Sequence, residues 1–252
     1  KLKSLKFIVF LGILVVATSA MAQEGQNNPY ADDKIVHFGF SIGIDFGGYG
    51  VKESGEAQDV NGVESLIHAR TSSVGPGFAV GFISDVKLCR FLNLRFCPSL
   101  HFGERTLTFK ADNPAVKFID PQTGDHTVNP GVYTNSDFAI PMDIPLYLKF
   151  SAARERNYRP YVITGGGVSL NVNSFNKQRA VCTNLLDYFF EIGFGVDTYF
   201  QWFKFCPELK YHIGFNNQLY PNPAEAECTE RYYMGSISHL TNHVISLVFN
   251  FE

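Results

Sequence analysis

The sequence predicts an all-β fold, an eight-stranded antiparallel up-and-down transmembrane β-barrel. Three observations predict it. Apolar and polar side chains alternate with a period of two in eight separate segments. No charged residue interrupts the apolar run of any of them. The connections between the segments alternate between long and short, the rhythm of an outer-membrane barrel.

Composition agrees. Charged residues are 18% of the chain, low for a soluble domain, yet mean hydropathy is near zero. The 24 Phe and 22 Gly point to strands with close backbone approach, not to helices. A net charge of −3, with no basic patch among the aromatics, gives no sign of a nucleic-acid partner, and none is expected.

The N-terminus reads as an export signal. Lys1, Lys3 and Lys6 precede an apolar run over residues 7–16, and Ala20-Met21-Ala22 is a small-x-small cleavage site. The run is too short for a membrane anchor. The expected organisation is a signal peptide over 1–22, a polar and flexible lead-in over 23–34, and a barrel domain over 35–252. No Cys follows the cleavage site, which argues against a lipoprotein.

The strands are expected near 36–47, 74–87, 90–105, 138–151, 158–172, 187–201, 203–215 and 242–252. The first sets Phe38, Phe40, Ile42, Ile44 and Phe46 against His37, Gly39, Ser41, Gly43 and Asp45. The third sets Leu92, Leu94 and Phe96 against Asn93, Arg95 and Cys97, and the fourth sets Ile144, Leu146 and Leu148 against Asp143, Tyr147 and Lys149. The sixth places Phe190, Ile192 and Phe194 opposite Glu191, Gly193 and Gly195, and the eighth ends on Leu247, Phe249 and Phe251. Each segment suits a tilted spanning strand of roughly 9–11 residues plus overhang. An Arg or Lys on the lipid side would cost about 2–4 kcal/mol at the bilayer midplane, which explains the unbroken apolar runs.

A soluble β-sandwich also alternates, with its apolar face inward. Its strands are typically shorter, about 5–6 residues. Its solvated face would favour Thr, Lys and Glu, whereas the polar face here is rich in Gly, including Gly43, Gly81, Gly165 and Gly195. Small residues suit a narrow lumen in which neighbouring large side chains need room.

Long connections are expected at 49–73, 106–137, 173–186 and 216–241, and short ones near 88–89, 152–157 and 202. Short turns face the periplasm in outer-membrane barrels, so both termini are expected there. Trp202 falls where an interfacial aromatic girdle is expected.

The inward faces carry Asp45, Asp85, Asp143, Glu191, Asp197 and Glu208 against Arg95, Arg105, Lys149, Arg159, Lys204 and Lys210. The signs balance, so an ion-paired polar plug is expected instead of a solute channel. Catalytic signatures are absent: there is no Gly-x-Ser-x-Gly and no His-Glu-x-x-His, and Gly165-Gly166-Gly167 lacks the Lys-Ser/Thr of a phosphate loop. Cys97, His101, Cys206 and His212 share the inward face, but their spacing matches no zinc motif. His68, His126 and His239 lie in loops without an evident catalytic partner. No enzyme activity, metal or cofactor is expected. Cys182 and Cys228, both in long loops, are a candidate disulfide. Cys89, Cys97 and Cys206 are expected free. Arg154-Glu155-Arg156 in a short turn is a candidate periplasmic contact, or a solvated turn near headgroups.

The stretches "HFGFSIGIDFG", "PGFAVGFISDVKLCRFLNLRFCPSLHFGER", "IPMDIPLYLKFSAARERNYRPYVITGGGVSLNV", "FFEIGFGVDTYFQWFKFCPELKY" and the closing "VISLVFNFE" stand out along the chain. In these stretches the chain resembles the PorT family of Bacteroidetes outer-membrane barrels. The stretches cover most of 35–252, with the long loops least alike. The resemblance implies a non-enzymatic accessory or assembly component of type IX protein secretion. It also implies lipid and other secretion-system proteins as partners. The alternative is a small structural or adhesive barrel whose long outer loops bind a surface ligand.

Overall fold

In a computed structural model, the chain is described over residues 27–29, 32, 34–73, 75–121, 123–127, 129–172, 180–220 and 231–252. The expected export signal lies outside the described residues. Among the described residues, twelve strand segments and one short helix follow in order. They are β1 (Val36–Glu53), β2 (Ala57–Val60), β3 (Val63–Ser73), β4 (Gly75–Lys87), β5 (Leu92–Phe96), β6 (Ser99–Ala111), β7 (Val132–Ala139), β8 (Pro141–Ser151), β9 (Tyr158–Asn171), β10 (Leu186–Tyr199), β11 (Lys204–Gly214), α1 (Arg231–Gly235) and β12 (Ile237–Phe251).

The segments close into a ring of eight antiparallel strands. β1 pairs with β12 on one side and β4 on the other, so the sheet has no edge at this level. The ring continues β12-β11-β10-β9-β8, and β8 meets β5 and β6, which meet β4. Prolines explain two of the breaks between segments. β5 and β6 are one strand interrupted at Pro98: Ser84 opposes Phe96 and Gly81 opposes Ser99 with no change of register. β7 and β8 keep one register on β6 across Ile140, before Pro141. A proline has no N–H to give the ladder, so it ends a segment without shifting the strand.

The apolar sides face outward and meet no second layer. Phe38, on the apolar side of β1, is 64% exposed, whereas Asp85, on the opposite side of its neighbour β4, is 0% exposed. That is the reverse of a sandwich. Neighbouring outward rings stack across strands, as Phe40 on Phe251 at 5.0 Å and Phe78 on Phe102 at 4.8 Å. Trp202, at the turn between β10 and β11, is 89% exposed.

The wall is taller than the sequence pattern indicates. β1 runs on to Glu53, β3 occupies 63–73, β6 extends to Ala111, β7 starts at Val132 and β12 at Ile237. All of these fall in segments expected as loops. The amphipathicity inverts there. Lower on β6, Leu100 and Phe102 face out and His101 faces in. Higher up, Leu107, Phe109 and Ala111 are buried while Glu104 and Lys110 are exposed. Above the hydrocarbon, water lies outside the wall, so the apolar side must turn inward.

The inward apolar side chains of that upper wall form a core with residues from all four long connections. Phe109 and Tyr133 from the wall pack with Val60, Phe118, Val181, Leu219, Tyr232 and Tyr233. Phe109 and Tyr233 lie 4.8 Å apart, and the Tyr233 hydroxyl donates to the Ile119 carbonyl at 2.7 Å. β2 and β3 form a hairpin through Asn61 (φ 54°) and Gly62 (φ 83°), the left-handed pair that a two-residue turn needs. The described residues of the long-loop end therefore pack into a cap.

Candidate functional site

The lumen is built by the odd-even rule of the strands. Once one inward residue is placed, every second residue follows it inside. The interior then holds charges in tiers, from the short-turn end to the cap.

At the short-turn mouth the lead-in folds into the barrel. The Asp32 carboxylate accepts from the Tyr199 hydroxyl at 2.6 Å and lies 3.3 Å from Arg159 and 3.5 Å from Arg154. Arg154 lies 3.6 Å over the Tyr199 ring and donates to the Asn27 and Asn28 carbonyls. Arg154 is thus turned to the chain's own lead-in. Glu155 and Arg156 are exposed, with Arg156 at φ 53° in the turn.

The next tier centres on Arg95. Its guanidinium donates to Asp85 at 2.9 Å, lies 3.4 Å from Glu208, and contacts Glu252. Glu252 also pairs with Lys204. Lys149 and Asp197 pair at 2.8 Å. The Tyr161 hydroxyl donates to Glu208 at 2.6 Å, and the ring of Tyr161 sits 4.1 Å from the Lys149 ammonium. Cys97 and Cys206 fill this tier with Ile83 and Ile163, and both are free. Glycines make room for the large side chains. A Cβ at Gly195 would lie 2.5 Å from the Tyr161 oxygen.

Above it, Lys210 bridges Glu208 at 3.9 Å and Glu191 at 3.5 Å. Glu191 also accepts from the Tyr147 hydroxyl, and its other oxygen is 2.9 Å from His212. His101 sits 2.7 Å from Asp45 and 3.3 Å from Asp143. A cavity of about 30 Å³ lies here, lined by Asp45, His101, Arg105, Asp143, Glu191 and His212 among others. Arg105 donates to Asn242 beneath the cap.

The inward charges named from the sequence therefore lie in one connected network from Lys204 to Asp45, with Arg159 in the mouth below and Arg105 beneath the cap. Sequence reasoning passed over Glu252. It shares the parity of Ser246 and Asn250 on β12, so the count of two reaches it. Asp32 had no such signal, because no periodic pattern covers the lead-in. Cys182 is disulfide-bonded; its expected partner, Cys228, lies outside the described residues. Cys89 is free and exposed.

Chemically, this interior is a filler. Most buried charges have a partner of opposite sign or an imidazole, Asp187 and Arg105 are met by the amides of Gln218 and Asn242, and large side chains occupy the axis. An eight-stranded barrel has just the width that side chains can fill.

Comparison with known proteins bears on the fold. Residues 21–220 match the family model described as outer membrane protein beta-barrel domain. No curated protein matches the chain. The N-terminal β-barrel domain of Pseudomonas aeruginosa OprF is 15% identical, covering 84% of this chain and 97% of that one, with a TM-score of 0.30. The solid-state NMR structure of AlkL in DMPC lipid bilayers is 10% identical, covering 91% of this chain and 90% of that one, with a TM-score of 0.34. A closed ring with apolar sides outward and paired charges within, together with the family match over 21–220, places the protein: it belongs to the outer membrane protein beta-barrel domain family and sits in the outer membrane in contact with lipid.

Proposed function

We propose that the protein is a non-enzymatic accessory or assembly component of type IX protein secretion, with other secretion-system proteins as partners. The sequence stretches that resemble the PorT family support this reading. The observation that carries it is the filled lumen. Arg95, Lys149 and Lys204 with their carboxylates occupy the axis, which favours a scaffold over a conduit for cargo. In this reading the short-turn end faces the periplasm, with both termini. The exposed Glu155 and Arg156 then offer contact to periplasmic partners, beside a mouth that Arg154 and Asp32 hold shut. A strain lacking the protein should fail to export type IX cargo, and affinity purification from outer membranes should recover secretion-system proteins. Normal cargo export in the deletion strain would refute the proposal.

A second reading, a structural or adhesive barrel, draws on the cap. An open recess of about 430 Å³ on it is lined by Asp120, Thr123, Asp125, His126 and Tyr133 among others, a polar surface suited to a ligand. Deleting 112–131 would then abolish surface binding and leave secretion intact.

A further inference from the structure

We propose that the upper lumen binds one divalent transition-metal ion of the zinc class, held by Asp143, Glu191, His212 and His101. The sequence alone gives no zinc spacing, because the donors come from four different strands: β8, β10, β11 and β6. Barrel closure brings them together.

The donor geometry suits such an ion. One ligand atom each from Asp143, Glu191 and His212 lies within 4.8 Å of the others. His212 Nδ1 is 2.9 Å from Glu191 Oε1 and 4.0 Å from Asp143 Oδ2. His101 Nε2 is 3.3 Å from that same Asp143 oxygen. Metal–ligand bonds of about 2.0–2.2 Å in a tetrahedron separate the ligand atoms by roughly 3.3–3.5 Å, so these distances bracket the requirement. Behind His101 stands Asp45, 2.7 Å from the other ring nitrogen. A carboxylate that orients a histidine from behind is the usual support of a metal-bound imidazole.

Two further observations favour a cation at this place. The first is charge. Asp45 and Asp143 are buried, and among the described residues only imidazoles reach them within ion-pair distance. No described ammonium or guanidinium stands beside either carboxylate, and a divalent ion between them would supply the counter-charge that a low-dielectric interior favours. The second is satisfaction. His212 Nε2 is buried with no hydrogen-bond partner and the side chain lines the cavity, so the ring can turn either nitrogen to an ion there. Inward glycines at 47, 75, 77 and 103 leave the space open beside the donors.

The test uses the full barrel refolded in detergent micelles, with Zn²⁺ alone as the probe. Isothermal titration and metal analysis after dialysis should give one Zn²⁺ per folded chain. His212→Gln and Asp143→Asn should abolish stoichiometric binding, and Asp45→Asn should weaken it about 10–100-fold. His68→Gln, which removes the imidazole between Glu53 and Asp112 on the cap, should leave binding unchanged. Heat-modifiable gel migration verifies that each variant is folded. If His212→Gln fails to fold, the Asp45→Asn affinity carries the decision. A folded wild-type barrel without stoichiometric Zn²⁺ would overturn the proposal and leave protonated imidazoles as the counter-charge. So would binding that survives His212→Gln, or Asp45→Asn binding equal to wild type.

Discussion

Lys149 on β8 reaches across β9 to Asp197 on β10, its ammonium 2.8 and 2.9 Å from the two carboxylate oxygens. Both side chains are almost wholly buried. The Tyr161 ring of β9 lies beside the ammonium at 4.1 Å. This pair ties three consecutive strands together from within. Removing one partner leaves a charge uncompensated, so Lys149→Met should cost about 3–5 kcal/mol. Adding Asp197→Leu should recover most of that loss. Urea unfolding in lipid vesicles, followed by the single Trp, Trp202, reads both values. A single variant within 1 kcal/mol of wild type would contradict the account.

The glycines of the wall are not equivalent. A Cβ at Gly165 would collide with the Leu146 carbonyl and stand 2.7 Å from the Tyr147 Cα. At Gly103 the nearest atom would be the Gly77 Cα at 3.6 Å, an ordinary contact. Gly165→Ala should therefore force β8 and β9 apart and destabilise the barrel by about 1–3 kcal/mol. Gly103→Ala should change stability by no more than about 0.5 kcal/mol. Equal effects at the two sites, measured by the same unfolding titration, would show that strand packing is looser than this.

These residues mark how far the sequence was legible. Within the bilayer zone, hydrocarbon outside and paired charge inside impose opposite demands on alternate residues. Asp85, Arg95, Lys149 and Glu208 could therefore be placed inside by counting in twos. Above Arg105 the demands exchange sides. Thr106 and Thr108 then face out, Leu107 and Phe109 face in, and the segment looked like a polar loop. The cap core was invisible for another reason: Phe118, Val181, Leu219 and Tyr233 sit on separate connections with no shared period. The His101–Asp143–His212 cluster joins β6, β8 and β11, so no local spacing announces it.

The cap core should be separable from the barrel. Phe118 is fully buried among Tyr133, Tyr232 and Tyr233, with ring centroids 5.8–6.5 Å away. Phe118→Ala removes the centre of that cluster, a loss of about 3–5 kcal/mol for a well-packed aromatic. The ring of eight strands below does not depend on it. Limited proteolysis should cut the long loops of the variant faster, while the heat-modifiable barrel band persists. Loss of that band would mean that cap and barrel fold as one unit.

The same cluster should respond to alkali. Burial, followed by the nearby Asp120 carboxylate, raises the Tyr133 hydroxyl well above the ordinary tyrosine value. Burial and the adjoining Tyr232 do the same to Tyr233. A raised folded-state value means that the folded cap holds its protons longer than the unfolded chain does. The resulting stability is complete below about pH 10, the unfolded value, and is lost as pH rises above it. Tyrosinate absorbance should therefore show late-ionising tyrosines in the wild type, with loop proteolysis accelerating only above about pH 10. Phe118→Ala should move that ionisation toward the ordinary value. All tyrosines ionising together near pH 10 would show the cluster to be open to water.

Asp32 tests both the mouth and the orientation of the barrel. Its carboxylate gathers Tyr199, Arg159 and Arg154, and it is the described lead-in residue that meets all three. Asp32→Ala removes charge-assisted hydrogen bonds worth about 1.5–3 kcal/mol each in favourable cases, discounted here because the side chain is partly exposed. Release of the lead-in should raise maleimide labelling of an Asn28→Cys reporter about tenfold, the equivalent of 1.4 kcal/mol. In the proposed orientation, with the mouth in the periplasm, that labelling in whole cells, with a reagent that does not cross the outer membrane, should appear only after the membrane is permeabilised. Labelling of intact cells would invert the barrel. Unchanged labelling in Asp32→Ala would mean that Arg154, through the Asn27 and Asn28 carbonyls, holds the lead-in without the carboxylate.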